Sequence, residues 1–206
     1  MPAPRKFTRE QLQAAALNLV DTQGLAGLTM RNLATELGTG AMTIYNYVDG
    51  REGLEELVAA AVMSQARWTE TGEDWATQVA AIAEGMWWAV RAHPHAIPLI
   101  LTRRSSDAAT LAPAEALLRA LSHSGRSGRD LLIAFRTVSG YISGFAQAEL
   151  TSPLSAATPE VVTERIAALP ADRFPKLIEI ATVAADSDPR EEFRAGLQLI
   201  LAGLHA

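Results

Sequence analysis

The stretch from Leu28 to Val48, LTMRNLATELGTGAMTIYNYV, constrains this chain more than any other. Its spacing predicts two short helices joined by a tight turn. In the first, roughly Thr29–Leu37, Met30, Leu33, Ala34 and Leu37 fall at i, i+3, i+4 and i+7 and form one apolar face. Gly38 follows, where a helix end calls for left-handed backbone. The second, roughly Gly40–Tyr47, turns Ala41, Ile44 and Val48 inward. Thr39, Gly40, Met42, Thr43, Asn46 and Tyr47 are left outward. A helix–turn–helix has this layout, with a bracing helix followed by one that offers its first residues to the major groove. The outward face carries hydroxyls, an amide and a phenol, with no carboxylate before Asp49. The competing reading of the spacing alone is an ordinary helical hairpin.

The rest of the chain predicts more helices. Residues 1–6 hold Pro2 and Pro4 and read as a tail whose Arg5 and Lys6 either reach phosphate or are simply solvated. Thr8 and Gln11 make a capping box, with Phe7 placed to staple onto Leu12, and open a helix to about Gln23 that Gly24 ends. Asp49-Gly50 is a turn. Helical spacing then runs over Arg51–Trp68, Asp74–Ala92, Pro113–Ser122, Ser127–Leu150, Thr158–Leu169, Phe174–Ala184 and Asp188–His205, with a short apolar piece at Ile97–Leu101. Polar loops are expected at Arg103–Asp107, 151–157 and 170–175. The expected fold is all-α, nine or ten helices. An N-terminal three-helix helix–turn–helix head covers residues 1–50, and a larger C-terminal helical domain covers 51–206.

Charge and composition restrict the class. The chain has 206 residues and a net charge of −5, but residues 1–51 hold five basic against four acidic side chains, so the acidity lies in the remainder. A head this mildly basic would bind DNA through local placement and through two copies acting together. There is no cysteine, hence neither disulfides nor thiolate metal sites. No apolar run approaches the ~20 residues of a membrane span, and a cytoplasmic protein is expected. No Ser-His-Asp spacing, metal-ligand cluster or phosphate loop suggests an enzyme. His93 and His95, at i and i+2, are too few for a metal site, and no cofactor is expected.

Gly24, Leu28-Thr29-Met30-Arg31, Leu33-Ala34, Leu37-Gly38, Ile44-Tyr45-Asn46-Tyr47-Val48, Arg51 and Leu54 together resemble the TetR family of transcriptional regulators. The resemblance covers residues 8–60 closely. It extends more loosely into the C-terminal half, which resembles the tetracycline-repressor class of C-terminal domain. The resemblance implies that Tyr45, Tyr47 and Arg51 contact the DNA backbone and that Thr43 reaches phosphate or base. It also implies that Arg31 reads a guanine edge. Gly40, Ala41 and Met42 stand where other members place base-reading side chains. Specificity would then lean on Arg31, Thr43 and Asn46, beside Thr39, or on DNA shape.

The same resemblance implies a homodimer through 127–150 and 188–205, a palindromic double-stranded DNA operator, and a small-molecule effector that releases a repressor from it. Candidate ligand-lining residues are Trp68, Trp87, Trp88, His93, Phe135, Tyr141 and Phe145, each of which has core packing as its other reading. Leu99 stands where the tetracycline repressor has a His that holds magnesium–tetracycline, and that repressor's carboxylate falls near Ala148 with Glu149 adjacent, so one ligand is missing and another displaced. This predicts a different, largely apolar effector. The alternative is a DNA-binding regulator without a small-molecule effector, controlled by a protein partner or by its own level.

Overall fold

The computed structural model describes residues 6–70, 72, 74–102, 108–151, 165–166, 168–184 and 187–205. The expected helix Thr158–Leu169, the loop Arg103–Asp107 and Arg5 of the tail fall wholly or largely outside them. Among the described residues the chain forms ten α-helices and one 3-10 turn, with no strand. These are α1 (Arg9–Gly27), α2 (Met30–Glu36), α3 (Ala41–Ile44), α4 (Gly50–Met63) and α5 (Trp75–Arg91). After the 3-10 turn Pro94–Ala96 come α6 (Ile97–Thr102), α7 (Ala108–Ser122), α8 (Gly128–Thr151), α9 (Pro175–Ala184) and α10 (Pro189–His205).

The local signals act as physics requires. The capping box closes both ways: Gln11 N–H donates to Thr8 Oγ1 at 3.2 Å, and Thr8 N–H donates to Gln11 Oε1 at 2.8 Å. Gly24 adopts φ 66°, ending the regular part of α1 before one further turn. Thr29 caps α2 by accepting from Asn32 N–H at 3.1 Å. Asp188 caps α10 by accepting from Arg190 and Glu191 N–H at 2.7 and 3.1 Å.

Three boundaries move from their sequence expectation. The expected helix Gly40–Tyr47 is α-helical only to Ile44. Asn46 and Tyr47 N–H then bond the i−3 carbonyls of Thr43 and Ile44, which tightens the last turn. The expected helix Arg51–Trp68 stops at Met63, because Arg67 Nη1 donates to the carbonyls of Ser64 and Ala66 and draws the chain out of helical register. The departing segment crosses α5 at Gly85, where a Cβ would sit 2.1 Å from the Arg67 carbonyl oxygen, so only glycine admits this path. Helix α7 begins before Pro113 and carries it internally, although proline offers no N–H there.

One apolar core runs from Leu12 in the head to Leu201 in α10. Helix α4 belongs to both parts. Its Leu54, Leu57 and Val58 are buried beside Leu19, Val20, Leu33 and Ile44 of the head, and its far end meets α5, α6 and α7. In the body, α5 lies against α7, α8 and α10. Arg190 and Arg194 of α10 both hold Glu84 of α5, at 2.6 and 2.8 Å. Burial alone would raise the Glu84 carboxyl. Hydrogen bonds from Arg194 and Arg190, together with their charges, outweigh this and hold its pKa below the ordinary 4.5. The folded pKa is therefore lower than the unfolded one. Its contribution to stability is present above 4.5 and disappears as pH falls through the folded value. Glu84→Gln is expected to lower the urea midpoint at pH 7, with variant and parent converging as pH falls through the folded value.

Candidate nucleic-acid interface and effector cavity

The head's outer face is set by what α3 buries. Ile44 is fully buried and Val48 nearly so, and this forces the intervening side chains outward. Met42 is 77% and Tyr45 55% exposed, and Asn46 and Gly40 are exposed beside them. Thr39, Ala41 and Thr43 are half-buried at the edge of the same face. Arg31 on α2 is also exposed. The turn between the helices is closed by Thr39 N–H donating to the Ala34 carbonyl at 2.8 Å, with Gly38 at φ 60°. The face thus presents a phenol, an amide, a thioether and a guanidinium on a rigid two-helix support.

Two of the expected contact residues have work inside the head. Tyr47 is half-buried, its Oη accepts Phe7 N–H at 3.0 Å, and the two rings lie 6.2 Å apart. It fixes the start of α1 and the approach of the N-terminal tail. Phe7 therefore packs toward Tyr47 as well as serving the helix start. Arg51 donates through Nη1 to the Leu28 carbonyl at 2.8 Å and through Nη2 to the Leu25 carbonyl at 3.0 Å. Its Nε pairs with Glu55 at 2.7 Å. The guanidinium clamps α4 to the α1–α2 connection.

The seven candidate ligand residues separate into four places. Trp87, Trp88, Tyr141 and Phe145 form a packed aromatic group with Phe193 of α10. Trp87 stacks on Phe193 at 4.8 Å and 9°, and Phe145 meets both edge-on. Arg91 lies over both indoles and pairs with Glu149 of α8. Tyr141 Oη donates to the Phe193 carbonyl at 3.0 Å, and burial and Glu192 raise its pKa. Phe135 packs half-buried against the core. His93 lies at the joint of head and body: Nδ1 is 2.8 Å from Asp21 of α1, and Nε2 is 3.2 Å from Gln65 just past α4. The carboxylate that sequence separation hid from His93 thus comes from the head.

Trp68 alone of the seven lines a cavity described here. This cleft, of about 630 Å³, opens between α5, α7 and the segment that follows α4. Trp68, Trp75, Gln78, Ile82, Ala116 and Ala120 form its floor, and Glu70, Glu115, Arg119 and His123 its rim. Trp75 also lines a second cleft of about 600 Å³ at the α7–α8 turn. Sequence reasoning missed all of these but Trp68. The available signal was Ala112, Ala116 and Ala120, small residues four apart on α7 facing α5, opposite Trp75, Gln78 and Ile82 on one side of α5.

Comparison with known proteins agrees with both halves. Residues 69–206 match the family model described as "Tetracyclin repressor-like, C-terminal domain". An HTH-type transcriptional regulator of Saccharopolyspora erythraea is 30% identical over 97% of this chain and 85% of its own length. A solved TetR transcriptional regulator of Streptomyces coelicolor superposes with a TM-score of 0.81 at 30% identity, covering 97% of this chain and 98% of that one. The S. coelicolor TetR family protein ActR, solved in complex with actinorhodin, gives a TM-score of 0.80 at 26% identity, covering 98% and 97%.

Proposed function

The chain belongs to the TetR family of transcriptional regulators, and on that premise we propose that it is a repressor that binds a palindromic operator as a homodimer and releases it on binding a small molecule. The observation that carries the DNA half is the exposed Met42–Tyr45–Asn46 face over a fully buried Ile44. Residues 1–50 act as the head and 51–206 as the body, with α4 shared between them. The reading helix offers Tyr45 and Thr43 to phosphate, and Arg31 and Asn46 to base edges. Thr39, Gly40, Ala41 and Met42 allow close approach and apolar contact. Tyr47 and Arg51 act largely by holding that face in position.

Two heads are needed for a specific, tight complex. The second copy fits the outward faces of α8 and α10. Leu132 and Ile133 are 43% and 52% exposed, and Leu199 79%. Beside them, Gly140 and Gly144 have open space where a Cβ would stand, although the opposite face of α8 is buried through Val138, Ile142 and Ala146. Small residues flanked by exposed aliphatics suit close packing of a partner helix.

Release follows from where the cavity lies. Trp68 stands in the segment that ends α4, so a ligand pressing on its floor acts on the helix that carries the head. The Asp21–His93–Gln65 contact ties the same helix end to α1. A ligand that favours the shifted position of α4 weakens DNA binding by its differential affinity for the two states. ActR, solved with actinorhodin, supports an effector site in a body of this fold.

The test is a gel-shift titration against DNA flanking the chain's own gene at two salt concentrations. Specific, salt-sensitive shifting is expected. Tyr45→Ala should cost about tenfold in affinity per head, the worth of a hydrogen bond to a charged group. The melting temperature should hold, because the side chain is exposed. Undiminished affinity in the variant would remove Tyr45 from the interface.

A further inference from the structure

We propose that the effector is a planar aromatic cation, a multi-ring molecule carrying an ammonium or iminium charge, rather than a neutral apolar or an anionic one. This rests on the reading of the cleft between α5 and α7 as the effector site. Three observations lead there. The floor holds two indoles, Trp68 and Trp75, both half-buried, with fully packed Ile82 and Ala120 between the helices. Flat apolar rings favour a planar guest, and an indole face attracts positive charge. The rim carries two carboxylates, Glu70 and Glu115, beside one guanidinium, Arg119, and one imidazole, His123.

Glu115 is also easily recruited. Its pairing with Arg119 spans 3.7 Å, with the two side chains 65% and 68% exposed, and ion pairs of that kind hold their partners weakly. A ligand cation displaces Arg119 at little cost and takes its place on the carboxylate. The cavity's volume of about 630 Å³ admits a three- or four-ring molecule. The body as a whole is acidic, since residues 52–206 hold nineteen carboxylates against thirteen basic side chains. This excess adds long-range attraction for a cation.

The test uses two xanthene dyes of similar size and opposite charge, rhodamine 6G and fluorescein. Each is titrated by fluorescence anisotropy against the full chain at pH 8. Rhodamine 6G is expected to bind about tenfold or more tighter than fluorescein. The Glu70→Gln/Glu115→Gln double variant should lose about tenfold for rhodamine 6G and little for fluorescein. Trp68→Ala, checked for folding by its melting curve, should lose both dyes. Equal or tighter binding of fluorescein, or rhodamine 6G binding indifferent to the double variant, overturns the cationic class. If Trp68→Ala still abolishes binding in those cases, the cleft stands as the effector site. Binding of neither dye, or binding indifferent to Trp68→Ala, overturns both the class and the site.

Discussion

Gly144→Arg is expected to convert the protein to a folded monomer and to reduce operator affinity by about 10²- to 10⁴-fold, the range lost when two linked binding events become one. The fold should survive because a Cβ at Gly144 meets nothing within 4 Å. Arginine is moreover a better helix former than glycine by several tenths of a kcal/mol or more. In the proposed dimer the same position would lie between α8 and its partner's apolar face, where an unpaired guanidinium has no acceptor. Light scattering gives the oligomeric state and the gel shift gives the affinity. A dimer that persists with full operator affinity would move the interface away from this face of α8. A monomer with full affinity would mean that one head suffices.

Trp87→Ala and Trp68→Ala are expected to fail in opposite ways, although the sequence offers the two indoles on equal terms. Trp87 is fully buried and stacked on Phe193 at 4.8 Å, with Phe145 against its edge. Its truncation leaves a cavity between α5, α8 and α10 and costs about 3–5 kcal/mol. For a chain of this length that corresponds to about 10 °C in melting temperature. Trp68 is half-buried on the floor of the cleft. Its truncation should cost under about 2 kcal/mol and remove effector binding, so that operator DNA is no longer released by ligand. Calorimetry of both variants, followed by gel shifts with and without ligand, separates the roles. A stable Trp87→Ala protein that had lost only ligand response would place the effector in the aromatic stack instead of the cleft.

The head was almost wholly legible because its information is local. A capping box, a left-handed glycine and an i, i+3, i+4, i+7 stripe each act within a few residues, and each forms as read. What burial of Ile44 and Val48 left outward, notably Met42 and Asn46, followed from helical period, whereas Tyr45 came in only through the family resemblance and Tyr47, read as outward, is half-buried. The all-α architecture, ten helices among the described residues, followed from the same periods summed along the chain.

What sequence could not supply was the partner of each side chain across the fold. Tyr47 and Arg51 read as DNA-backbone contacts, but Tyr47 bonds Phe7, 40 residues away, and Arg51 bonds Leu28, 23 residues away. His93 seemed to lack an acid until α1 brought Asp21 to it across 72 residues. Aromatic residues in a helical body carry the same hydrophobicity whether they fill a core or line a cleft, so composition and spacing could not sort Trp87 from Trp68. Only the placement of α5 against α7 on one side and against α8 and α10 on the other does so, since burial depends on the neighbours that the whole chain brings together. The sequence by itself determined the helices, their faces and the family they assemble into. The tertiary structure alone decided which groups are spent inside the molecule and which are left to meet a ligand.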